Sequence, residues 1–284
     1  MKKFVAYALV ALVLVYVAYD NRDRLGPLVG ASAEGAAVKP ANPLALKPTA
    51  DVRVRDFCLD GSGSTSVSFA KSIKRSIVES VKGYVPPKPT VTKGGVDSIV
   101  GLDVTVRLVS TRPLEYGAPF YRVKVAGVDG LPPRPDMAEG GALSPGGSYV
   151  TWKKLEVEWS GQYDAALSDL RKAVGTLSKI DLSRPSASGV HDCLGALAST
   201  APATRDLTFV VASDLQDNTD GASKVSFAGH PLVVVQACPS GAAGECSHVL
   251  RQFRRWADDR KAGDLTVVRP EVADDIINHL IEGD

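Results

Sequence analysis

A chain of 284 residues has room for one α/β domain of about 200 residues with appendages, or at most for two small domains. Its 33 basic and 32 acidic side chains nearly cancel. No dense Lys/Arg stripe interleaved with aromatics appears, so composition argues against nucleic acid as a partner.

At the N-terminus, Met1, Lys2 and Lys3 precede an uncharged run, Phe4 to Tyr19, that ends against Asp20, Arg22, Asp23 and Arg24. At 1.5 Å per residue the run covers about 24 Å, short of the roughly 30 Å hydrocarbon core but within reach if flanking Tyr and Lys side chains snorkel. The expectation is an uncleaved transmembrane anchor over residues 1–24, touching the membrane through residues 4–19. A cleaved signal peptide is the competing reading, with Ala31, Ser32 and Ala33 as its small-residue site, but that site lies well past the apolar run with charges in between. Lys2 and Lys3 favour a cytoplasmic N-terminus and a globular part outside the cytoplasm, on the periplasmic or extracellular face; Arg22 and Arg24 weaken the asymmetry. Residues 25–50 turn to Ala, Gly and Pro without hydrophobic period and read as a linker. The folded domain is expected over 51–284.

From Asp51 the run VRVRDFCL alternates and then becomes apolar, predicting a strand that ends at Asp60. Ala70, Ile73, Ile77, Val81 and Tyr84 follow at spacings of three and four, predicting an amphipathic helix whose other face, with Lys71, Lys74, Arg75 and Lys82, is solvated. Leu102, Val104, Val106 and Leu108, then Tyr121, Val123 and Val125, alternate as two neighbouring strands at one sheet edge. A Pro/Gly-rich loop is expected from about Gly127 to Gly147. The segment WKKLEVEW fits strand or helix, a second helix is expected from Tyr163, and HDCLGALAST predicts a shorter third. In the last third, LTFVVAS, PLVVVQAC and LTVVRP are short continuous apolar runs, expected as strands covered on both faces. Helices using Val249, Leu250, Phe253 and Trp256, from about Ser247 to Lys261, and then Val272, Ile276, Ile277, Leu280 and Ile281 complete the pattern. The fold class is therefore α/β: a doubly wound, mostly parallel sheet with helices on both faces.

Four cysteines suit an exported domain. Cys238 and Cys246 bracket a short Gly-rich loop that could close as a disulfide ring, and Cys58 either pairs with Cys193 or stays a small buried thiol.

The run DFCLDGSGSTS, residues 56 to 66, carries the chemistry. Asp60, Ser62 and Ser64 are hard oxygen donors at every second position, separated by glycines that let the backbone bend them together. The same letters would also make an ordinary strand-to-helix turn. A second acid, Asp214, ends the buried run LTFVVAS, after Ser213 and before Asp217 and Asn218. In such a sheet, ligands sit at the carboxyl ends of strands where strand order reverses.

Here the sequence resembles the von Willebrand factor type A domain, whose metal-ion-dependent adhesion site combines an Asp-x-Ser-x-Ser loop, a Thr from a later loop and an Asp after a later strand. Asp60, Ser62 and Ser64 match the first element and Asp214 the last, and the order of elements matches from about Asp51 to Asp284. His191 stands where Thr is expected, with Ser188 and Asp192 nearby, and Leu215 stands where members often have Gly. The resemblance implies a non-enzymatic binding module that uses Mg2+, or Mn2+ or Ca2+, to hold a protein ligand through an acidic side chain. Two rivals stand beside it: a metal-free structural or assembly component of an envelope machine, and a hydrolase of phosphate esters acting through Asp60. The four histidines show no zinc spacing, and neither a nucleophile elbow nor a full phosphate-binding loop is present. Asp60→Ala is expected to abolish stabilisation by Mg2+ yet leave the domain folded, because the site is expected on the rim and not in the core.

Overall fold

Hydrophobic periodicity divides the chain into strands and helices that alternate, and alternation forces a sheet sandwiched between helices. The computed structural model describes residues 44–48, 52–61, 65–109, 120–137, 143, 147–182, 189–202, 204, 206–216 and 225–283. The expected membrane segment, residues 4–19, lies outside them. Among the described residues no helix is long and apolar enough to cross a membrane. The compact unit runs from Leu44, and Lys47 already pairs with Gly130 in an isolated bridge.

The strands are β1 (Val52–Leu59), β2 (Gly101–Leu108), β3 (Phe120–Val125), β4 (Leu207–Ser213), β5 (Leu232–Gln236) and β6 (Leu265–Val268). They form one six-stranded sheet in the order β3-β2-β1-β4-β5-β6, with β3 antiparallel to β2 and the other pairings parallel. The helices are α1 (Val67–Gly83), α2 (Ser148–Ser178), α3 (Val190–Thr200), α4 (Ala243–Asp259) and α5 (Ala273–Glu282). One sheet face, with Phe57, Leu59, Val104, Val106, Val210 and Val235, packs against Ile73 and Ile77 of α1, Tyr163 and Leu177 of α2 and Ile277 of α5. The other, with Val54, Cys58, Phe209, Val211 and Val234, packs against Leu194 of α3 and Phe253 of α4. This α/β architecture is compatible with the von Willebrand factor A and Rossmann-like folds.

Several local expectations change. The segment WKKLEVEW is helical and continuous with the helix expected from Tyr163, so α2 has 31 residues and buries Trp152, Trp159, Tyr163 and Ala166 along one stripe. α4 starts at Ala243, ahead of the expected Ser247. β6 is an edge strand in which only Val268 is buried, because no further strand or helix covers its outer side among the described residues. Val272 precedes α5 in a 3-10 turn and is 48% exposed, so Ala273, Ile277 and Ile281 make the buried stripe instead. Lys74 leaves the solvated face and donates from Nζ to Ser178 O and Ile180 O, both at 2.8 Å, satisfying carbonyls at the end of α2. Both cysteine pairs are disulfides, Cys58–Cys193 and Cys238–Cys246, which removes the free-thiol reading of Cys58 and fits an oxidising compartment outside the cytoplasm.

Charges inside the sandwich fix its parts relative to one another. Arg55, buried on β1, donates from Nη1 to Asp206 Oδ1 at 2.7 Å and from Nε to Leu280 O at 2.6 Å; Arg53 Nη1 reaches Ile281 O at 2.7 Å. Two arginines of the central strand thus satisfy the last carbonyls of α5 and hold that helix on the sheet. Arg55→Ala leaves the Leu280 carbonyl without its donor and Asp206, which is 41% exposed, with Arg53 as its remaining cation. It should cost about 2 kcal/mol in chemical denaturation, from loss of a charge-assisted hydrogen bond to a half-exposed carboxylate and of a donor to a helix-end carbonyl.

Asp56 is on the opposite face of the same strand, and burial pushes its carboxyl up to about 6, with a hydrogen bond from Thr105 opposing the shift. The folded pKa exceeds the unfolded one, so the charged form costs the fold nothing below about pH 4, increasingly more between pH 4 and 6, and a constant amount above. Asp56→Asn should therefore be more stable than the parent at pH 8 by up to about 3 kcal/mol, a gap that closes as the pH falls through 6 to 4. Denaturation midpoints of both proteins across that range give the measurement.

Candidate functional site

Strand order reverses between β1 and β4: from β1 the chain moves outward to β2 and β3, and from β4 it moves the other way to β5 and β6. The carboxyl ends of these two adjacent strands therefore flank the crevice that such sheets leave open to ligands. Their register pairs Leu59 with Ala212, and the Asp60 N–H donates to Ala212 O at 2.9 Å, carrying the pairing one step beyond β1. Asp60 and Ser213 come together for that reason, although they are far apart in sequence.

The hydrogen bonds at this edge form a small network around one carboxylate oxygen. Ser213 Oγ donates to Asp60 Oδ2 at 2.6 Å, and Thr65 Oγ1 donates to the same oxygen at 3.3 Å. Thr65 Oγ1 in turn accepts from the Asp214 N–H at 3.3 Å, so one hydroxyl links the first loop to the segment after β4. Ser213 Oγ accepts from the Leu215 N–H at 2.9 Å, and Asp214 Oδ1 accepts from the Gln216 N–H at 3.0 Å. The other oxygen, Asp214 Oδ2, is buried and has no hydrogen-bond partner among the described residues. An orphaned buried carboxylate oxygen is costly unless a cation or donor meets it.

Of the residues expected at the site, Asp60 and Asp214 are brought together. Asp60 is fully buried and Asp214 is 4% exposed, which differs from the exposed rim expected of them. Ser62, Ser64 and Ser188 lie outside the described residues. His191 opens α3 with its ring stacked on Trp256 at 4.2 Å and parallel to Phe253 at 6.0 Å, a packing role between α3 and α4. Thr65 and Ser213 are the contributors that spacing does not single out as site residues. The signal for Ser213 is its place at the end of an apolar strand beside Asp214, whereas nothing in the sequence separates Thr65 from an ordinary residue before a helix. α1 begins just after, capped by Ser66, whose Oγ accepts from the Phe69 N–H at 3.1 Å.

The donor set is oxygen only: two carboxylates and hydroxyls, which suit a hard cation such as Mg2+ better than zinc. No group of three or more His, Cys, Asp or Glu that could hold a metal occurs among the described residues. Any coordination here would rest on the carboxylate pair with hydroxyls and water. Two surface grooves, of about 330 Å³ between α1 and α5 and about 640 Å³ beside Trp159, include neither Asp60 nor Asp214.

Leu215 occupies the left-handed region with φ 64° and is 4% exposed. That conformation costs a residue with a Cβ about 1 kcal/mol, and burial of the side chain beside α3 and α4 offsets it.

These observations define an α/β domain with an acidic crevice at its switch point. No family model matches the sequence, and no curated protein matches it either. Among solved structures the chain is similar to the crystal structure of an aerotolerance-related membrane protein from Bacteroides fragilis NCTC 9343 bearing multiple mutations to serines. The two are 12% identical, the match covers 82% of this chain and 100% of that one, and the TM-score is 0.36. A likeness that loose carries no functional argument, so the reading below rests on the chain's own residues.

Because Leu215 is both strained and buried, its substitutions should invert the usual order of Ala and Gly. Leu215→Ala should lose about 3 kcal/mol through the cavity left, and Leu215→Gly should be the more stable of the two by about 1 kcal/mol. Urea denaturation of the pair checks it.

Proposed function

We propose that this chain is an exported, membrane-anchored binding module of von Willebrand factor A type, non-enzymatic, in which the crevice between β1 and β4 holds a divalent cation and, through it, an acidic side chain of a protein partner. The observation that carries the reading is the unpartnered, buried Asp214 Oδ2 beside a second buried carboxylate, Asp60. Two such acids at one edge repel each other, and a cation is their natural neutraliser. Asp60, Asp214 and the serines Ser62 and Ser64 would hold the ion, with Ser188 from the segment before α3; His191, stacked between α3 and α4, is not counted among the ligands. Ser213 and Thr65 orient the Asp60 carboxylate by occupying its Oδ2.

When bound, Mg2+ supplies an electrophilic centre with six oxygen positions, several filled by water that an incoming carboxylate can replace. The chain's own part is to bind and orient. The anchor through residues 4–19 and the linker that follows support a placement at the membrane surface, with the domain outside the cytoplasm. Two disulfides suit that compartment.

The rival reading is a metal-free structural or assembly component. What favours it is that Asp60 Oδ2 already accepts two internal hydroxyls, as a self-sufficient turn would. Thermal unfolding of the full chain with Mg2+, Mn2+ or Ca2+ decides between them. The parent should gain about 2.7 kcal/mol of stability at a cation concentration one hundred times the dissociation constant. Asp60→Asn keeps the hydrogen-bonding shape while removing the charge, and should fold yet lose that gain, as should Asp214→Asn. A parent indifferent to all three cations would establish the metal-free reading, and turnover of generic phosphate esters would revive the hydrolase.

A further inference from the structure

α1 and α5 lie side by side on the sheet face that carries Phe57 and Leu59. They run in the same direction: Ser76 of α1 bonds Asp274 in the first turn of α5, and further along Glu282 Oε1, at the end of α5, lies 2.8 Å from where a Cβ on Gly83 would stand. Along these contacts the helices leave a groove of about 330 Å³, within the range of about 300–1,000 Å³ over which small-molecule sites fall. Its lining is polar throughout, with no aromatic or aliphatic side chain on its border, and it includes neither Asp60 nor Asp214.

Helix geometry sorts the lining into floor and walls. Ser76 and Ser80, four apart, flank the buried stripe of Ile73, Ile77 and Val81, so they sit at the base, 9% and 4% exposed. Arg75 and Glu79 are exposed on the α1 wall, and Asp275 and Asn278 on the α5 wall. The two serines differ in their bonding. The Ser76 hydroxyl is shared between the Ser72 carbonyl at 3.0 Å, an ordinary acceptor for a serine inside a helix, and Asp274 Oδ1. The Ser80 hydroxyl bonds to nothing among the described residues, although the residue is nearly inaccessible. A buried hydroxyl in that condition costs the fold unless something in the groove meets it. The charges on the walls divide in the same way. Glu79 pairs with Lys82 at 3.2 Å and Asp274 bonds Ser76, whereas the side chains of Arg75 and Asp275 have no ion pair or hydrogen bond among the described residues.

We propose that this groove binds a small zwitterion, an α-amino acid with a short side chain: its carboxylate meets the Arg75 guanidinium, its ammonium meets Asp275, and one of the two head groups also bonds the Ser80 hydroxyl. The inference goes beyond the cation reading of the crevice and does not depend on it. Opposite charges left free on facing walls select the class of ligand. A molecule with one charge would cover the other wall's group without matching it, and a neutral polyol would leave both unmatched, so desolvation works against each. An amino acid satisfies both in one molecule, and a guanidinium can take a carboxylate on two donors at once. The polar lining offers little apolar area, so affinity comes from these charge-assisted bonds, and a dissociation constant on the order of 1 mM is expected.

The test is calorimetric titration of the full-length parent with glycine and with L-serine. Three molecules of similar size serve as controls: ethanolamine carries only the ammonium, glycolate only the carboxylate, and glycerol neither. Glycine and L-serine should bind, and each control should bind at least tenfold more weakly. Arg75→Gln and Asp275→Asn should each weaken L-serine binding about tenfold while keeping the parent's thermal midpoint, since both side chains are exposed and unpaired. Ser80→Ala should weaken it about threefold and, with the orphaned hydroxyl gone, unfold no earlier than the parent. Asp60→Asn, which alters the crevice alone, should bind L-serine as the parent does. A parent that takes up neither amino acid overturns the proposal. So does binding that survives both Arg75→Gln and Asp275→Asn, or that is lost in Asp60→Asn, because the amino acid then sits elsewhere. Equal binding of ethanolamine, glycolate or glycerol overturns it as well, by removing the selectivity for a zwitterion.

Discussion

The hydrogen bond from the Asp60 N–H to Ala212 O, 2.9 Å long, extends the parallel pairing of β1 with β4 beyond the last residue of β1. Everything at the candidate site depends on it. It sets Asp60 level with Ser213, which lets the Ser213 hydroxyl reach the Asp60 carboxylate and, through the Leu215 N–H, shape the turn after β4. A slip of one residue would send Asp60 to the opposite face of the sheet and leave Ser213 with no acceptor there. Both sheet faces are covered by helices, so such a slip would also bury the wrong half of each strand.

β1 bears an unusual load for a central strand. Arg55 points to the face covered by α5 and Asp56 to the face of α3 and α4, and both are nearly inaccessible to water. A strand filled with Val and Ile would pack as well and desolvate less. Its charges instead give β1 specific partners in three places: Asp206 ahead of β4, the final carbonyls of α5, and Thr105 on β2. Asp103 of β2 extends this polar layer, accepting a two-pronged pair from Arg122 and a contact from Lys124, both on β3.

How much of this was legible in the sequence follows from what periodicity can report. The runs VRVRDFCL and LTFVVAS mark strands because apolar residues there are continuous or alternate, and both strands lie at the centre of the sheet. LTVVRP shows the same apolar run and yet lies at an edge, because a run of four apolar letters says nothing about whether a neighbour exists. WKKLEVEW alternates enough to imitate a strand, and only the stripe formed by Trp152, Trp159 and Tyr163 over successive turns identifies it as helix. At the site, Asp60 and Asp214 stood out because each acid follows an apolar strand. Thr65 did not, since its role comes from a hydroxyl that reaches two segments distant in sequence, and no local pattern encodes such a contact. The same limit concealed Lys74, whose charge resembles its solvated neighbours until α2 ends beside it.

The two borders of the sheet bear on how many copies can share a crowded surface. β3 carries Arg122 and Lys124, side chains that must shed water before another strand can lie alongside. β6 offers only four residues, and Pro270 stands just beyond Arg269, where it has no N–H to donate. Open sheets are templates for runaway polymerisation when their borders are long, flat and apolar, and neither border here is so built. Copies packed side by side at high local concentration would meet through loops and helices, leaving each sheet a closed unit.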